Sequence, residues 1–371
     1  MGPRLDSSAQ RGMTSKIAII GCGAISELYY AQALLQLSQS GAAEVGLLFD
    51  PDAKRTARLK ELFPDAAVAN VFADAVKFQS ELAIVASPPR FHAEQTVALL
   101  KQGTAVLCEK PMSATVVEAE AMIAAAANTK SLLAIGLFRR FFASSQLIYD
   151  IVHQGRLGAV GRFDVSEGGP FNWPAQSASF FQKSNSQGGV LSDLGVHVLD
   201  LLIWWFGMPE KVDYEDDAMG GLEANCHLEL GFAGGVSGTV RLSRDTQLPN
   251  RTIIECEHGW IRCKAAAADQ LEIGFKGVPF ALGGQIESLD DRGPYGFRAQ
   301  PALSYQQSFC KQLRNVVSAV RGQEPVFIPG EEGKLSLRLI EQCYRQRKLM
   351  RMPWLAEREL QCAQKIVGFA Q

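Results

Sequence analysis

Lys16-Ile17-Ala18-Ile19-Ile20 runs straight into Gly21-Cys22-Gly23-Ala24-Ile25-Ser26, and a helical pattern follows as far as Leu37. A short apolar strand, a tight glycine turn and a helix, in that order, describe the opening unit of a dinucleotide-binding α/β fold. Gly21 lets the chain turn sharply. Gly23 has no side chain, so the backbone N–H groups of the turn and of Ala24 and Ile25 can approach a pyrophosphate at the helix N-terminus. Ser26 holds the third glycine position and is small enough for close packing of helix on strand.

Working outward, a second apolar strand at residues 44–49 ends in Asp50. An acidic residue at this separation accepts hydrogen bonds from the adenosine ribose hydroxyls. Its charge repels a 2′-phosphate, which favours NAD over NADP. Lys54 and Arg55 lie close by in DPDAKR and are placed to meet such a phosphate, so NADP stays open. The competing role for Asp50 is an N-cap or turn residue in Asp-Pro-Asp.

The alternation of strand and helix continues. Residues 82–86 form an apolar strand ending in Ser87-Pro88-Pro89, with a helix from about His92; residues 105–108 form another, ending in Glu109-Lys110-Pro111; residues 132–136 form a third. Continuous apolar strands separated by helices imply a parallel sheet covered on both faces. Ligands of such sheets bind at the carboxyl ends of the strands, where Ser87, Pro88, His92, Glu109 and Lys110 all fall.

The 371 residues suffice for two to three domains. A formal net charge of −2 and a pI near 6.3 argue against a nucleic-acid partner. With 47% hydrophobic and 20% charged residues the chain reads as globular. No apolar run reaches membrane-spanning length. The first residues, MGPRLDSSAQRGMTSK, lack an apolar centre and read as a polar extension rather than a secretory signal. The eight cysteines are scattered without a CxxC pair, which points to a reducing, cytoplasmic setting. Cys256, His258 and Cys263 are the nearest approach to a metal cluster. They sit in an alternating strand, TIIECEHGWIRC, and read as strand residues, so no metal is expected.

From about residue 158 the texture changes. GAVGRFDVSEG leads into an aromatic loop, and residues 222–230 alternate apolar and polar with period two. Further strands follow at VSGTVRLS, RTIIECEHG, WIRCKA and DQLEIGF, whereas residues 277–302 read as a long loop. Strands succeeding one another without helices imply an antiparallel meander in a separate α+β domain. The sheet's other face is then either solvated or covered by a partner subunit, and apolar groups on it would call for the partner.

One segment of this half carries chemistry. Gly188-Gly189 opens and Gly207 closes a stretch in which Asp193, His197 and Asp200 share one stripe between apolar borders. Titratable groups in such a setting are paired or line a cavity. A histidine with a carboxylate one turn before it makes a proton-transfer pair, the carboxylate fixing the imidazole; Asp200, one turn after, reads as structural. In the aromatic loop Trp173 is placed to stack on a sugar face or simply to pack the loop. Arg140, Lys183 and Arg244 are candidates to meet a substrate phosphate or carboxylate.

The GCGAIS turn, Ser87-Pro88-Pro89 with His92, Glu109-Lys110-Pro111 and the Gly-Gly-x-x-x-Asp-x-x-x-His segment together resemble the glucose–fructose oxidoreductase/inositol dehydrogenase (Gfo/Idh/MocA) family over roughly residues 15 to 350. The resemblance implies an NAD(P)-dependent oxidoreductase acting on a sugar, cyclitol or sugar derivative, a nucleotide sugar included. It implies that Lys110 contacts the reacting hydroxyl and the nicotinamide ribose, that Asp193 and His197 line the substrate, and that His197 is the general acid/base. A cis Lys110–Pro111 bond that aims Lys110 into the cleft is implied as well. Arg140 and Phe141 in LFRRF match the segment leading into the second domain. Homodimers or homotetramers through the C-terminal sheet are implied too. The chain departs from the family's pattern at Ser26 and at Gln187-Gly188-Gly189, where a third glycine is missing. The rival readings are a non-catalytic, cofactor-binding regulator of the same fold, and a reductase of a bilin, dihydrodiol or imine.

The expected layout is α/β: a flexible extension over residues 1–14, a Rossmann domain over 15–137, and an α+β domain with a large, mainly antiparallel open sheet over 138–350. A tail over 351–371 has no assignment.

Overall fold

In the computed structural model, which describes residues 14–175, 181–186, 188–286, 288–290, 298–300, 305–352 and 355–369, the apolar strand of the opening motif is buried on both faces. Ile17 and Ile19 enter one core cluster while Ala18 and Ile20 enter the other, as a strand's alternation requires. This is β1 (Ser15–Ile20). It is followed by β2 (Ala43–Phe49), β3 (Ala67–Ala69), β4 (Leu82–Val85), β5 (Ala105–Cys108) and β6 (Leu133–Ile135). The six strands pair in parallel in the order β3-β2-β1-β4-β5-β6, so the order reverses at β1/β4 and opens a crevice at their carboxyl ends. The connecting helices are α1 (Ala31–Gln39), α2 (Ala53–Leu62), α3 (Phe72–Lys77), α4 (His92–Lys101) and α5 (Val116–Thr129). Helix α5 starts at a capping box, with Thr115 accepting from the Glu118 N–H and Glu118 reaching back to the Thr115 N–H.

The second half adds α6 (Ala143–His153), β7 (Val160–Gly168), α7 (Lys183–Ser186), α8 (Val196–Phe206), β8 (Lys211–Asp216), β9 (Asn225–Gly231), β10 (Ser237–Ser243), β11 (Arg251–Cys256), β12 (Gly259–Lys264), β13 (Gln270–Phe275), β14 (Ala281–Gln285), β15 (Ser288–Asp290), β16 (Arg298–Gln300), α9 (Tyr305–Val320), α10 (Gly330–Arg345), β17 (Lys348–Leu349) and α11 (Glu357–Phe369). Nine strands form an open sheet in the order β14-β13-β12-β11-β7-β10-β9-β8-β17. Most pairs are antiparallel, but β7 lies parallel to β10 and β17 parallel to β8, so the expected meander is a mixed sheet. The long loop expected over residues 277–302 contains β14 and the small β15–β16 hairpin. Residues 1–13 of the expected extension, and Gln187, lie outside the described residues.

The inner face of this sheet (Phe163, Val165, Leu228, Leu230, Val240, Leu242, Ile254) packs on Val198, Leu199 and Leu202 of α8 in one cluster that also reaches α5, α10 and β5. The outer face is polar, as the alternation of the strands requires. Its register rows run Glu215–His227–Arg241–Ser166–Arg251–Lys264 and Asp213–Glu229–Thr239–Asp164–Ile253–Arg262–Glu272. The alternation read as one buried face is therefore matched by a charged face. Helix α9, which the sequence reading passed over, packs on α1 and on the 3₁₀ turn Phe138–Phe141.

Candidate active site

The glycine turn is shaped by two opposite constraints. Gly21 has φ +97°, and a Cβ there would lie 2.6 Å from the backbone of Ala86 and Ser87, so only glycine fits where β1 passes β4. At Gly23 a Cβ would meet no described atom within 4 Å. The fold itself does not need that glycine, and the missing side chain leaves room for a phosphate to approach the N–H groups of the helix start. That start is a π turn, Ser26–Tyr30, continuing into α1, and the Ser26 hydroxyl donates to the Gly21 carbonyl at 2.6 Å. Ala24 and Ile25 stand at its first positions, where amides have no intrahelical acceptor. These residues fit the pyrophosphate of a nicotinamide dinucleotide.

Asp50 is buried under this turn. Its Oδ2 accepts from the Cys22 N–H and its Oδ1 from the Asp52 N–H, both at 2.9 Å, while Arg55 Nη1 stands 3.7 Å from Oδ2. Asp50 thus takes the turn role, and its carboxylate stands at the end of β2. The N-cap of α2 is Asp52, whose carboxylate accepts from the Lys54 N–H.

The other strand ends hold the remaining candidates. Ser87 follows β4 and its hydroxyl donates to Gln95 at 2.6 Å; Pro88 leads into a 3₁₀ turn. His92, named as a cofactor contact, is 1% exposed, with Nδ1 2.9 Å from the Pro111 carbonyl and Nε2 2.7 Å from the Ser87 carbonyl. Both ring nitrogens face backbone carbonyls, to one of which a neutral ring donates, so His92 sits between the two strand-end loops. Burial lowers its pKa. Glu109 is also buried: Tyr30 donates to its Oε1 at 2.5 Å, and the Lys110 N–H donates to its Oε2 at 3.0 Å. Burial raises the Glu109 carboxyl, against the Tyr30 hydrogen bond and the Lys110 charge. The Lys110–Pro111 bond is cis.

Lys110 reaches across to the second half. Its Nζ lies 3.0 Å from both the carbonyl and Oδ1 of Asp193. Asp193 belongs to a π turn, Leu191–Gly195, that leads into α8, so the segment read as one regular helix begins with a wider turn. Its other oxygen faces Arg244 Nη2 at 2.9 Å, and Arg244 also lies over the Phe171 ring. Burial works against ionisation, yet the two cations hold the Asp193 carboxyl below its ordinary range.

His197 is 5% exposed, and its Nδ1 has no hydrogen-bond partner among the described residues. The expected Asp193–His197 pair is not formed. Both Asp193 oxygens are committed to Lys110 and Arg244, and what touches the imidazole is the edge of Phe138, with ring centroids 5.2 Å apart. Burial, helped by the charges of Lys110 and Arg139, takes the His197 pKa well below 6.5, so the ring is neutral.

Arg140 does not reach the cleft. It is 2% exposed, clamps Asp200 through Nε and Nη2 at 2.6–3.1 Å, and meets Glu332 at 3.0 Å. It ties the entry to the second half to α8 and α10, and Asp200 is structural as read. Its neighbour Arg139 is held by Glu167 in two 2.8 Å bonds. Trp173 lies nearly parallel to Tyr29 (interplanar angle 8°, centroids 6.2 Å apart), so the aromatic loop rests on the helix start of the first half. Lys183 donates to the Gly220 carbonyl. Among the described residues no cluster of three or more His, Cys, Asp or Glu side chains is arranged to hold a metal ion, and no helix is long and apolar enough to cross a membrane.

The sequence reading missed Arg139, for which the pair Arg139-Arg140 gave no means of choosing, and Glu223, which accepts from amides at the start of the Asp193 segment. It also missed the ring cluster of Tyr29, Phe138, Tyr305 and Phe309 beside His197. Phe309, Leu313, Val316 and Val317 carried a helical period that pointed to α9.

Residues 15–137 match the family described as GFO/IDH/MocA, an oxidoreductase family with an NAD-binding Rossmann fold, and residues 145–262 match the GFO/IDH/MocA C-terminal domain. Scyllo-inositol 2-dehydrogenase (NADP(+)) of Bacillus subtilis (strain 168) is 30% identical over 202 residues, 54% of this chain and 54% of that protein. Trans-1,2-dihydrobenzene-1,2-diol dehydrogenase of Bos taurus is 25% identical over 275 residues, 71% of this chain and 76% of that one. The chain spans about half the length of the first curated relatives it matches. Levoglucosan dehydrogenase, solved in complex with NADH and levoglucosan, superposes with a TM-score of 0.76 at 18% identity, covering 90% of this chain and 98% of that one; the likeness is one of fold.

Proposed function

The chain belongs to the GFO/IDH/MocA oxidoreductase family, and on that premise we propose that it interconverts a CH–OH group and a carbonyl on a sugar, cyclitol or sugar derivative. The observation that carries the reading is the 3.0 Å Lys110–Asp193 pair. It joins the carboxyl end of the NAD-binding sheet to the segment that bears a neutral imidazole whose Nδ1 has no hydrogen-bond partner among the described residues. When bound, the nicotinamide supplies the hydride chemistry. Lys110 orients the reacting oxygen and offsets the negative charge that develops on it. Asp193, fixed by Lys110 and Arg244, holds the lysine in place and presents its lone pairs to a neighbouring hydroxyl. His197, neutral because it is buried, takes the hydroxyl proton in oxidation and returns it in reduction.

Incubation of the protein with NAD or NADP and a panel of sugars and cyclitols, read by reduced-cofactor absorbance, tests the activity. His197→Ala is expected to lower kcat by roughly 10²–10⁴-fold at unchanged cofactor affinity. Unchanged turnover in that variant sinks the assignment of His197. Turnover by the wild type with no panel member, despite dinucleotide binding, favours the regulatory reading.

The rings beside His197 support a second substrate class. Phe138, Tyr305, Tyr29 and Trp173 form an aromatic border suited to a flat apolar substrate such as a dihydrodiol. A higher kcat/KM for a cyclic dihydrodiol than for any polyol would decide for it. The outer face of the nine-stranded sheet supports self-association. Both ends of that face carry both signs, Lys211, Glu215 and Glu229 on β8–β9 and Arg251, Glu255, Lys264 and the Arg262–Glu272 pair towards β12–β13, so a two-fold related copy can set unlike charges together. A homodimer-sized or homotetramer-sized particle in light scattering is expected.

A further inference from the structure

The segment bearing Asp193 and His197 begins at Gly188-Gly189, and the reason for those glycines lies elsewhere in the chain. A Cβ on Gly189 would stand 1.9 Å from the Glu223 carbonyl oxygen, and one on Gly188 would stand 2.0 Å from the Tyr344 hydroxyl. The glycines let the loop before β9 and the end of α10 press directly onto the start of the segment. What they bring there is a carboxylate. Glu223 is 1% exposed, and its Oε1 accepts from the Gly189 N–H at 2.8 Å, the Leu191 N–H at 3.1 Å and the Tyr344 hydroxyl at 2.8 Å. The Val190 N–H donates to the Glu223 carbonyl at 3.0 Å. Arg347 stands 3.5 Å from Oε2 and is itself paired with Asp216.

The amides of Gly189, Val190 and Leu191 belong to a helix start, where N–H groups lack intrahelical acceptors and a negative charge is favourable. One residue supplies acceptors to all three. Because the turn from Leu191 to Gly195 is a π turn, the first residues are not fixed by the ordinary i→i−4 ladder alone. An anchor at Gly189 and Leu191 determines how the wide turn presents Asp193, two residues further on, to Lys110.

We infer that Glu223 is a positioning residue for the reaction: through the amides of Gly189 and Leu191 it sets the π turn that aims Asp193 at Lys110, with Tyr344 and Arg347 holding its carboxylate in place. This rests on the oxidoreductase reading above. Glu223 touches neither substrate nor cofactor; it acts through Asp193. An ångström of misplacement at such a site lowers turnover by up to about 10²-fold.

The test has two arms. In the first, Glu223→Ala is expected to lower kcat about 10–100-fold with the Kd for NAD(H) unchanged. Glu223→Gln, which keeps an oxygen for the two amides, is expected to recover most of that loss, and Tyr344→Phe to lose only a few-fold. A role confined to stability would reduce the folded fraction and leave kcat per bound cofactor as in the wild type, and that result overturns the inference. In the second arm, hydrogen exchange over the peptide from Gly188 to His197 is expected to accelerate in Glu223→Ala and Tyr344→Phe, with β1, β4 and β5 unaffected. Unchanged exchange there, or a uniform rise along the chain, overturns it equally. Absence of wild-type turnover on every substrate counts against the oxidoreductase reading alone; the exchange arm then decides on the anchor.

Discussion

Two glycine-led helix starts, one in each half of the chain, are built alike. At the first, Gly21 to Ser26 leads into a π turn and α1, and the buried carboxylate of Asp50 accepts from the Cys22 N–H. At the second, Gly188-Gly189 leads into a π turn and α8, and the buried carboxylate of Glu223 accepts from the Gly189 and Leu191 N–H groups. The difference is in what occupies the space the glycines leave. At Gly23 that space is open among the described residues, whereas at Gly189 it is filled by the backbone of Glu223. The first start leaves its glycine turn open and the second is filled by the chain itself, so the same sequence signal has two different structural causes.

The largest effect should come from breaking the second start. Gly189→Ala puts a methyl group 1.9 Å from the Glu223 carbonyl oxygen, and neither backbone can yield without losing the Glu223 anchor. A loss of about 3 kcal/mol or more in unfolding free energy is expected, read by denaturant titration. Wild-type stability in this variant would show that the close approach is not required.

Next come two substitutions that divide the first start. Gly21→Ala meets both a positive φ and backbone at 2.6 Å, so it should lower stability by about 2–3 kcal/mol. Gly23→Ala meets nothing in the chain, so stability should stay within about 0.5 kcal/mol while the Kd for NAD rises 10-fold or more. A Gly23→Ala protein that binds NAD as tightly as the wild type would remove the distinction between the two starts.

The contrast also explains what the sequence could and could not disclose. Five of the six parallel strands were readable because each is an apolar run ending in a polar or glycine-rich turn, a local pattern; β3, three residues with two of them exposed, was not. The strand ends named for the site were readable for the same reason. Arg140 was not, because its partners Asp200 and Glu332 lie 60 and 192 residues away. Nor was the commitment of Asp193 to Lys110 and Arg244, since spacing along a helix shows only which residues share a face. The setting of His92 was hidden because a histidine at a strand end looks the same whether it faces a ligand or a carbonyl. Strand β8, KVDYED, escaped because its outer-face charges mask a short alternation. Both π turns are invisible to a pattern with a fixed period of 3.6.

The state of His197 sharpens the comparison from the chemical side. The second start delivers an imidazole that burial, with Lys110 and Arg139, keeps neutral. With its pKa lowered in the fold, the unfolded chain takes up a proton at this residue before the native one does. Stability from this group is therefore present above about pH 6.5 and falls as pH drops from there toward the folded pKa. The same shift keeps the base form available in acid, so the acid limb of kcat/KM for oxidation should lie below pH 6.5. Replacing the pair by Arg139→Met with Glu167→Met removes a nearby cation without orphaning a buried carboxylate, and should move the limb upward. A wild-type limb above pH 6.5, or a limb that the double variant leaves in place, would contradict this account of the imidazole.

The smallest effect concerns which dinucleotide the open start prefers. Asp50 has one lone pair on each oxygen committed to the Cys22 and Asp52 amides, and each oxygen keeps capacity for a ribose hydroxyl. Arg55, 3.7 Å from Oδ2 and partly exposed, offsets the charge that would repel a 2′-phosphate. The two side chains pull the preference in opposite directions. NAD(H) should bind more tightly, because the carboxylate is buried and fixed at the end of β2, while the guanidinium stands at the rim. Arg55→Gln should therefore weaken NADP(H) by about 2–5-fold and leave NAD(H) nearly unchanged, as a rim charge-pair contributes up to about 1 kcal/mol. Fluorescence titration of both reduced cofactors measures the ratio. If it does not move, or moves toward NADP(H), Arg55 serves only to steady Asp50, and the first helix start reads its ligand through the carboxylate alone.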